Sequence, residues 1–512
     1  MLKNQSPRVF LPQFPESYWI ATASIPSFPR LTHDIQVDVA IVGAGISGIT
    51  TAYLLSKQGL KVALIEAGEM LTGTTGHTTA KITAQHDLIY DEFISHLGKE
   101  QTRLYYEANR EAFQFIKQTI HEHQISCDFT EEDAYIYTSS DEFVEKIAAE
   151  FAAYEALGIP GDYLEQAPLP FQTKAAVVMK HQAQFNPMPY LLHLANHAAQ
   201  KQGCQIYEHT TAVSIEKGNP ATVITNEGHR ITCKYAVSCS HFPFYDGGGF
   251  YFAKMHAKRA YILAVKTSEQ FPGGMFISAE EPKRSLRSFM ANGEKMVLIA
   301  GESHKTGQGI CTFKHYEALQ NFGEQYLGIQ EICYRWSAQD LVTLDKLPYI
   351  GRTDSDEPNI LVATGYKKWG MTTGTAAALL IEKLVTGGHS PYQELFKPDR
   401  FHADPSIKTF IVQNADVVDH FISGKLEMIF KKPEELQNDE GAVVRANGKR
   451  AGAYRDQQGQ LHIVDTTCTH MGCEVEWNDG ERTWDCPCHG SRFSYKGGVL
   501  EGPAKKPLKR IE

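Results

Sequence analysis

The sequence predicts an α/β chain with a strand–helix–strand unit near its start, an antiparallel sheet further on, and a small all-β domain at the C-terminal end. Three observations carry this. Residues 36–66 read as strand, glycine turn, helix and strand. Runs such as RAYILAV and KMVLIAGE between 255 and 335 suggest an antiparallel sheet. From about residue 425 onward, short strand-like runs and many glycines replace the longer helical patterns.

The first unit is VDVAIVGAGISGITTAYLLSKQGLKVALIE. It opens with a partly β-branched apolar run, as a strand buried on both faces should. Gly43, Gly45 and Gly48 then form G-x-G-x-x-G at the strand-to-helix turn, and Glu66 ends the second strand. Each residue has a physical task. Gly43 permits the turn, Gly45 lets backbone approach a pyrophosphate, and Gly48 lets helix and strand pack closely. The phosphates would sit on the helix N-terminus, at Ile46 and Ser47, where bare N–H groups and the helix dipole favour anions. Glu66 can accept both ribose hydroxyls, which argues for FAD or NAD over NADP. The helix is expected to end near Gly59.

Residues 91–157 look helical, with Phe113, Ile116 and Ile120 at helical spacing. A second helix is expected from Ser139, with Glu142 completing a capping box, to Gly158. An α/β pattern returns over 190–240, through LLHLANHAAQKQG and the runs TAVSIE, ATVIT and YAVSCS. One more strand and helix follow in NILVATGYKKWGMTTGTAAALLIEKLVTG, and the charged stretch after it reads as a linker.

Composition bounds the function. The 512 residues exceed what a single core supports. A content of 42% hydrophobic and 21% charged residues fits a soluble globular protein, and the net charge of −10 argues against nucleic-acid binding. No apolar run reaches the roughly 18 residues of a membrane span. The first residues lack the apolar core of a signal peptide, so a cytoplasmic location without membrane insertion is expected. Of ten cysteines, Cys127, Cys204, Cys233, Cys239, Cys311 and Cys333 are scattered and read as buried free thiols. The other four fall between 468 and 488, which suggests a metal site.

Two further segments extend the nucleotide unit: GTTGHTTAKITA (73–84) and ATGYKKWGMTTG (363–374), the latter preceded by Leu347-Pro348-Tyr349-Ile350-Gly351. With the first βαβ unit, they make the chain resemble the D-amino-acid oxidase and glycine oxidase superfamily over about residues 36–390. The resemblance implies a Rossmann-type FAD domain with an inserted α+β substrate domain. It places the FAD domain in 36–90, 186–250 and 341–390, and the substrate domain in 91–185 and 251–340. A linker is expected over 391–424 and the last domain over 425–512. It also implies that Ala67, Gly73, Thr74, Thr75, His77, Thr78 and Val213 bind FAD. Gly365, Gly370, Met371 and Thr372 would place amides and a helix N-terminus near the pyrimidine end of the flavin, where they stabilise negative charge. His77 lies where related dimethylglycine and sarcosine dehydrogenases bond covalently to flavin. Gly76 stands in place of their tryptophan, which favours a non-covalent flavin-side role. Arg259, Arg284, Arg287 and His304 are candidates for binding a substrate carboxylate. Tyr366 and Trp369 lie on the flavin-side turn.

At the C-terminal end, Cys468-Thr-His470 is followed by fifteen residues and then Cys486-Pro-Cys488-His489. Two thiolates on one iron and two imidazoles on the other make a Rieske-type [2Fe–2S] site. A tetrahedral Cys2His2 zinc site is the alternative, but it usually spaces its histidines more widely. CTHMGC (468–473) and CPCHGS (486–491) resemble the two boxes of Rieske proteins from cytochrome bc and b6f complexes. That resemblance implies a Cys473–Cys488 disulfide between the loops and a Ser491 hydroxyl directed at a bridging sulfide, which raises the potential. It also marks a departure: Phe493 stands where high-potential proteins carry a tyrosine. An intermediate potential is expected.

Together these features predict an FAD-dependent oxidoreductase, an amine or amino-acid dehydrogenase whose flavin passes electrons to the cluster and on to an external acceptor. Two other readings remain at this stage. Electrons could enter through the cluster toward a flavin reductase or monooxygenase centre, or the chain could be a redox sensor without turnover.

Overall fold

The computed structural model describes residues 10–511 apart from 292, 310, 355, 401–405, 407, 408, 411, 415, 418, 419 and 421–430; the side chains of Lys201 and Gln202 are also not described. The strand Ile35–Val42 is buried along its C-terminal half and lies at the centre of an eight-stranded sheet. Val62–Ile65 and Arg230–Ser238 pair with it in parallel on either side. Gln205–Tyr207 extends one edge, and Ile360–Thr364 and Tyr349–Arg352 extend the other. The helix Ile46–Lys57 follows the first strand and packs against helices Pro187–Gln202 and Gly370–Thr386. Pro187–Gln202 starts where Asn186 Oδ1 accepts the Met188 amide at 3.1 Å, with Pro187 in its first turn, and it ends at left-handed Gly203.

The second sheet has nine strands. Its path runs from Ile329–Thr343 through Met255–Thr267, Glu294–Lys305, Arg284–Ala291, Met275–Ser278, Thr130–Thr138 and Ala175–Gln184 to Lys81–Ile82. Most neighbours are antiparallel, as the sequence suggested for 255–335. Several expected details differ. Thr130–Thr138 is a strand inside a region that reads as helical; its AYIYT end carries the β-branched and aromatic residues that favour a pleated surface. The cap of the following helical segment is Ser140, whose Oγ accepts the Glu142 amide, one residue after the expected Ser139. Lys81–Ile82 pairs with the second sheet although the expected boundary places it in the FAD domain. Cys311 is exposed and Cys333 half-buried, so only four of the six scattered thiols are buried.

The start of the expected linker packs on the first sheet. Leu395 and Phe396 are buried in the short helix Gln393–Phe396, and Arg400 makes a buried ion pair with Asp345 at 2.8 Å. Most of 401–424 lies outside the described residues. The C-terminal part holds two small antiparallel sheets, one of Glu440–Ala446, Lys449–Arg455 and Leu461–Val464, the other of four strands between Glu476 and Glu501. Among the described residues, no helix is long and apolar enough to cross a membrane.

Candidate active site and cluster centre

The nucleotide turn has the geometry a pyrophosphate needs. Gly43 has φ +105°, and a Cβ there would lie 2.5 Å from the Cys239 carbonyl oxygen. A Cβ at Gly48 would fall 1.8 Å from the Gly43 oxygen. Only glycine fits, so backbone is laid bare at the helix start. Thr75 Oγ1 accepts the Ile46 amide at 3.1 Å, which joins the segment 73–78 to the helix N-terminus. Glu66 Oε2 accepts the Ala44 amide at 2.8 Å and Oε1 that of Gly68 at 3.0 Å, beside Ala67. Burial nevertheless pushes its carboxyl up. A ribose hydroxyl donating to Glu66 would favour the charged form.

The late turn reaches the same place. Gly365 is left-handed at φ +79°, and the helix Gly370–Thr386 starts with Gly370, Met371 and Thr372. Ser47 Oγ donates to Tyr366 Oη at 2.9 Å, linking the start of the helix Ile46–Lys57 to the late turn. Trp369 stacks on His86 with centroids 4.8 Å apart, and Thr372 Oγ1 donates to the Thr83 carbonyl at 2.9 Å. His77 Nδ1 lies 2.8 Å from the Gly73 oxygen, and Trp336 Nε1 donates to the His77 carbonyl at 2.9 Å. Ile20 fills the space beside Gly76, where a Cβ would meet its Cδ1 at 2.8 Å and the Leu71 oxygen at 2.3 Å. A tryptophan has no room there. Val213 lies on Ala212–Glu216, and its carbonyl accepts Lys505 Nζ from the C-terminal part at 2.9 Å.

The C-terminal loops bring the four cluster candidates together. Cys468 and Cys486 are 2% and 1% exposed, and the rings of His470 and His489 lie 5.0 Å apart. Nδ1 of each histidine is buried and accepts no hydrogen bond among the described residues. Two thiols and two orphaned imidazole nitrogens fit a Rieske cluster, since ligation would satisfy those atoms. Cys473 and Cys488 form a disulfide between the loops. Their sulfurs cluster with that of Cys486, but as a disulfide they are not thiolate ligands. Ser491 is fully buried, accepts the Ala504 amide at 3.0 Å and hydrogen-bonds Cys468. Phe493 is also fully buried, among Val464, Val475 and Trp484.

Two family models match the chain: FAD dependent oxidoreductase over residues 38–384 and Rieske [2Fe-2S] domain over 427–512. The chain belongs to the FAD-dependent oxidoreductase family. It is 53% identical over 503 residues to YhfW of Bacillus subtilis (strain 168), whose name describes a Rieske 2Fe-2S iron-sulfur protein; the match covers 98% of this chain and 99% of that one. Over 52 residues it is 50% identical to cytochrome b6-f complex iron-sulfur subunit 1 of Synechocystis, covering 10% of this chain and 29% of that protein. Among solved structures, glycine oxidase from Geobacillus kaustophilus has the same fold (TM-score 0.61, 19% identity, 72% of this chain and all of that one). The chain is thus an oxidoreductase that binds FAD and a Rieske [2Fe–2S] cluster.

Within this oxidoreductase the carboxylate candidates separate. Arg259 is 0% exposed and already engaged: Nη1 donates to Ser337 Oγ at 2.6 Å, and Nη2 pairs with Glu501 Oε1 of the Rieske part at 3.1 Å. Arg284 pairs with Glu302 at 2.6 Å and covers the Phe322 ring. His304 stacks on His315 with centroids 4.5 Å apart, and its Nε2 lies 2.9 Å from the Tyr261 hydroxyl. Those three are held by structural partners that local sequence did not reveal. Arg287 differs. It is 1% exposed and lies over the Trp19 ring at 5.3 Å; its hydrogen bond to the Phe185 carbonyl is long, at 3.4 Å. No ion pair to it is seen among the described residues, and Glu132 acts on it by charge without direct contact. Burial lowers its guanidinium to about 9. Lys81 lies close by. Its Nζ donates to the Phe276 carbonyl at 2.9 Å and to Ser285 Oγ at 2.7 Å, and burial, with Arg287 adding, lowers it to about 7. Lys81 lies inside the segment 73–84 but carried no signal of its own in the sequence.

The junction between the two redox parts rests on residues the sequence reading did not single out. Gln339 is the clearest. Its carbonyl accepts Thr74 Oγ1 from the flavin segment at 3.3 Å, and its Nε2 donates to the Gly490 carbonyl, beside His489, at 2.9 Å. Gly490 approaches so closely that a Cβ would lie 2.3 Å from Ala257 Cβ. Phe252 packs edge-on against both cluster histidines, at 6.0 Å from His470 and 5.7 Å from His489. Arg492 and Glu501, cross-strand neighbours in the Rieske part, pair at 2.6 Å and meet Arg259.

Proposed function

We propose that the enzyme oxidises a small amine or amino acid at a C–N bond and passes the electrons singly, through the Rieske cluster, to an external acceptor. The observation that supports this most directly is Gln339, one residue hydrogen-bonded to both the flavin segment and the cluster loop. Bound FAD takes up the two electrons of C–N oxidation, and the cluster exchanges electrons one at a time. Fusion in one chain keeps the second centre at high effective concentration. The residues proposed to hold FAD are those of the two glycine turns, Glu66 and the segment 73–78. Cys468, His470, Cys486 and His489 hold the cluster.

Arg287 and Lys81 are the proposed carboxylate site. Two adjacent buried cations with no direct ion pair among the described residues are costly, and a bound carboxylate would offset that cost. The amino-acid-oxidase fold fits such a substrate. The acceptor is a one-electron protein, and a cytoplasmic location is consistent with the composition.

The test is an anaerobic titration of the purified, fully loaded enzyme with a panel of amines and amino acids, following flavin absorbance and the Rieske electron paramagnetic resonance signal together. Bleaching of the flavin followed by appearance of the cluster signal is expected. A bleached flavin beside a cluster that stays oxidised would sink the relay.

A further inference from the structure

The two cluster histidines are not equivalent. His489 is 7% exposed, and the Gly490 carbonyl next to it is held by Gln339 of the flavin-bearing part. His470 is half-buried and shares the Phe252 contact with His489. The next residue, Met471, is 53% exposed. Phe252, which touches His470, also touches Phe250, itself 58% exposed. Both are large apolar side chains left to solvent beside a redox ligand.

Charge borders this apolar spot. Four of the six residues 505–510 are cations, Lys505, Lys506, Lys509 and Arg510, and all four are exposed. The chain as a whole carries −10, so this run opposes the general charge. It is fastened to the cluster loop: Thr469, between the ligands Cys468 and His470, donates its hydroxyl to the Lys506 carbonyl at 2.6 Å. The run continues along the Rieske sheet, where the Asp465 amide donates to the Lys509 carbonyl at 2.8 Å. Asp246, the acid near Phe250, is engaged by the amides of Phe250 and Tyr251 at 3.1 and 3.0 Å. Small apolar contact with a charged rim is how transient redox partners meet, because the rim steers encounter without holding the complex long.

We infer that the face formed by Met471, Phe250 and the basic run 505–510 docks a small acidic one-electron carrier protein, with the His470 edge as the port between carrier and cluster. One electron crosses per encounter; the cluster changes by one electron, the carrier by one in the opposite sense, and no bond forms or breaks. The inference rests on the relay reading for its purpose, but not for its test.

The test uses the loaded full-length enzyme without substrate. Its binding to an acidic plant-type [2Fe–2S] ferredoxin is measured by isothermal titration calorimetry at low and high ionic strength. Tight binding at low salt is expected, weakening at least about tenfold at high salt and about tenfold again at low salt in Lys506→Glu/Lys509→Glu. The reversal Lys99→Glu, at the start of the helix Lys99–Glu122 outside the basic run, should leave the Kd unchanged. Binding insensitive to salt and to the 506/509 reversal overturns the inference. So does preference for basic cytochrome c, or for vesicles of anionic phospholipid, over the ferredoxin. Failure of the substrate titration with ferredoxin binding intact would remove the relay alone.

Discussion

Replacing Glu501 by glutamine asks whether charge holds the two redox halves together. Glu501 Oε1 takes Arg492 Nη1 at 2.6 Å and Arg259 Nη2 at 3.1 Å, and the Glu501 side chain is 22% exposed. Burial alone would raise its carboxyl, but Arg492 and then Arg259 more than offset that and hold it at about 2, against 4.5 for an ordinary glutamate. At about 1.4 kcal/mol per tenfold change in ionisation, the difference is worth about 3 kcal/mol. Breaking a buried pair by removing one partner costs about 3–5 kcal/mol, which agrees. Glutamine keeps the shape and removes the charge, leaving Arg259 buried without its carboxylate. The expected outcome is a Rieske part that loosens first: the visible circular dichroism of the cluster is lost at least about 5 °C lower than in the parent, ahead of release of flavin fluorescence. Flavin-to-cluster transfer, followed by stopped flow, should slow as well. The pH dependence has a definite sign. The folded carboxyl lies below its unfolded value, so its contribution is complete above about 4.5 and is lost as the pH falls toward about 2. An unchanged cluster melting temperature together with an unchanged transfer rate in E501Q would refute the reasoning.

Three further outcomes are expected. Arg287→Met should raise KM for anionic amino acids by about 10–100-fold, the cost of about 1–3 kcal/mol for a lost charge-assisted contact, with flavin content unchanged; kcat/KM for the same substrates should fall as the pH rises through about 7, where Lys81 loses its proton. Cys473→Ser/Cys488→Ser removes the tie across a separation of 15 residues, worth about 3 kcal/mol, and should bring cluster loss to a lower temperature in thermal scans read by iron release. Ser491→Ala, at the fully buried hydroxyl beside Cys468, should lower the cluster midpoint potential measured by redox titration, whereas Phe493→Tyr should raise it.

How much was legible in the sequence depends on how local the information is. The glycine turn and the four cluster ligands are short motifs whose geometry is set within a few residues, and each could be read directly. The second sheet was legible where apolar runs are long, in 255–335, and missed at Thr130–Thr138, whose first half carries Glu131, Glu132 and Asp133. The arginines show the limit. Arg259, Arg284 and Arg287 look alike in sequence, yet one clamps the Rieske part, one pairs with Glu302 and one lies buried with no ion pair among the described residues. Arg259 and Glu501 are 242 residues apart, and Gln339 and Gly490 are 151 apart, so their partnership exists only once both parts have folded and met. A faint local sign was present in the Arg492–Glu501 pair, opposite charges facing each other across a hairpin.

The segment before the nucleotide motif has a consequence for how the protein can be handled. Ser17 donates to the Gly76 carbonyl, Trp19 Nε1 donates to the Thr78 carbonyl at 2.7 Å, and Ile20 occupies the space at Gly76. Arg335 and Arg482 reach back to the carbonyl oxygens of Pro12 and Gln13, with Arg482 at 3.0 Å. These few residues form one wall of the flavin segment and brace the Rieske part at the same time. Truncation at the first strand would keep every recognisable motif and still remove that wall. A shortened chain is therefore expected to purify pale, with its iron and its flavin lost together.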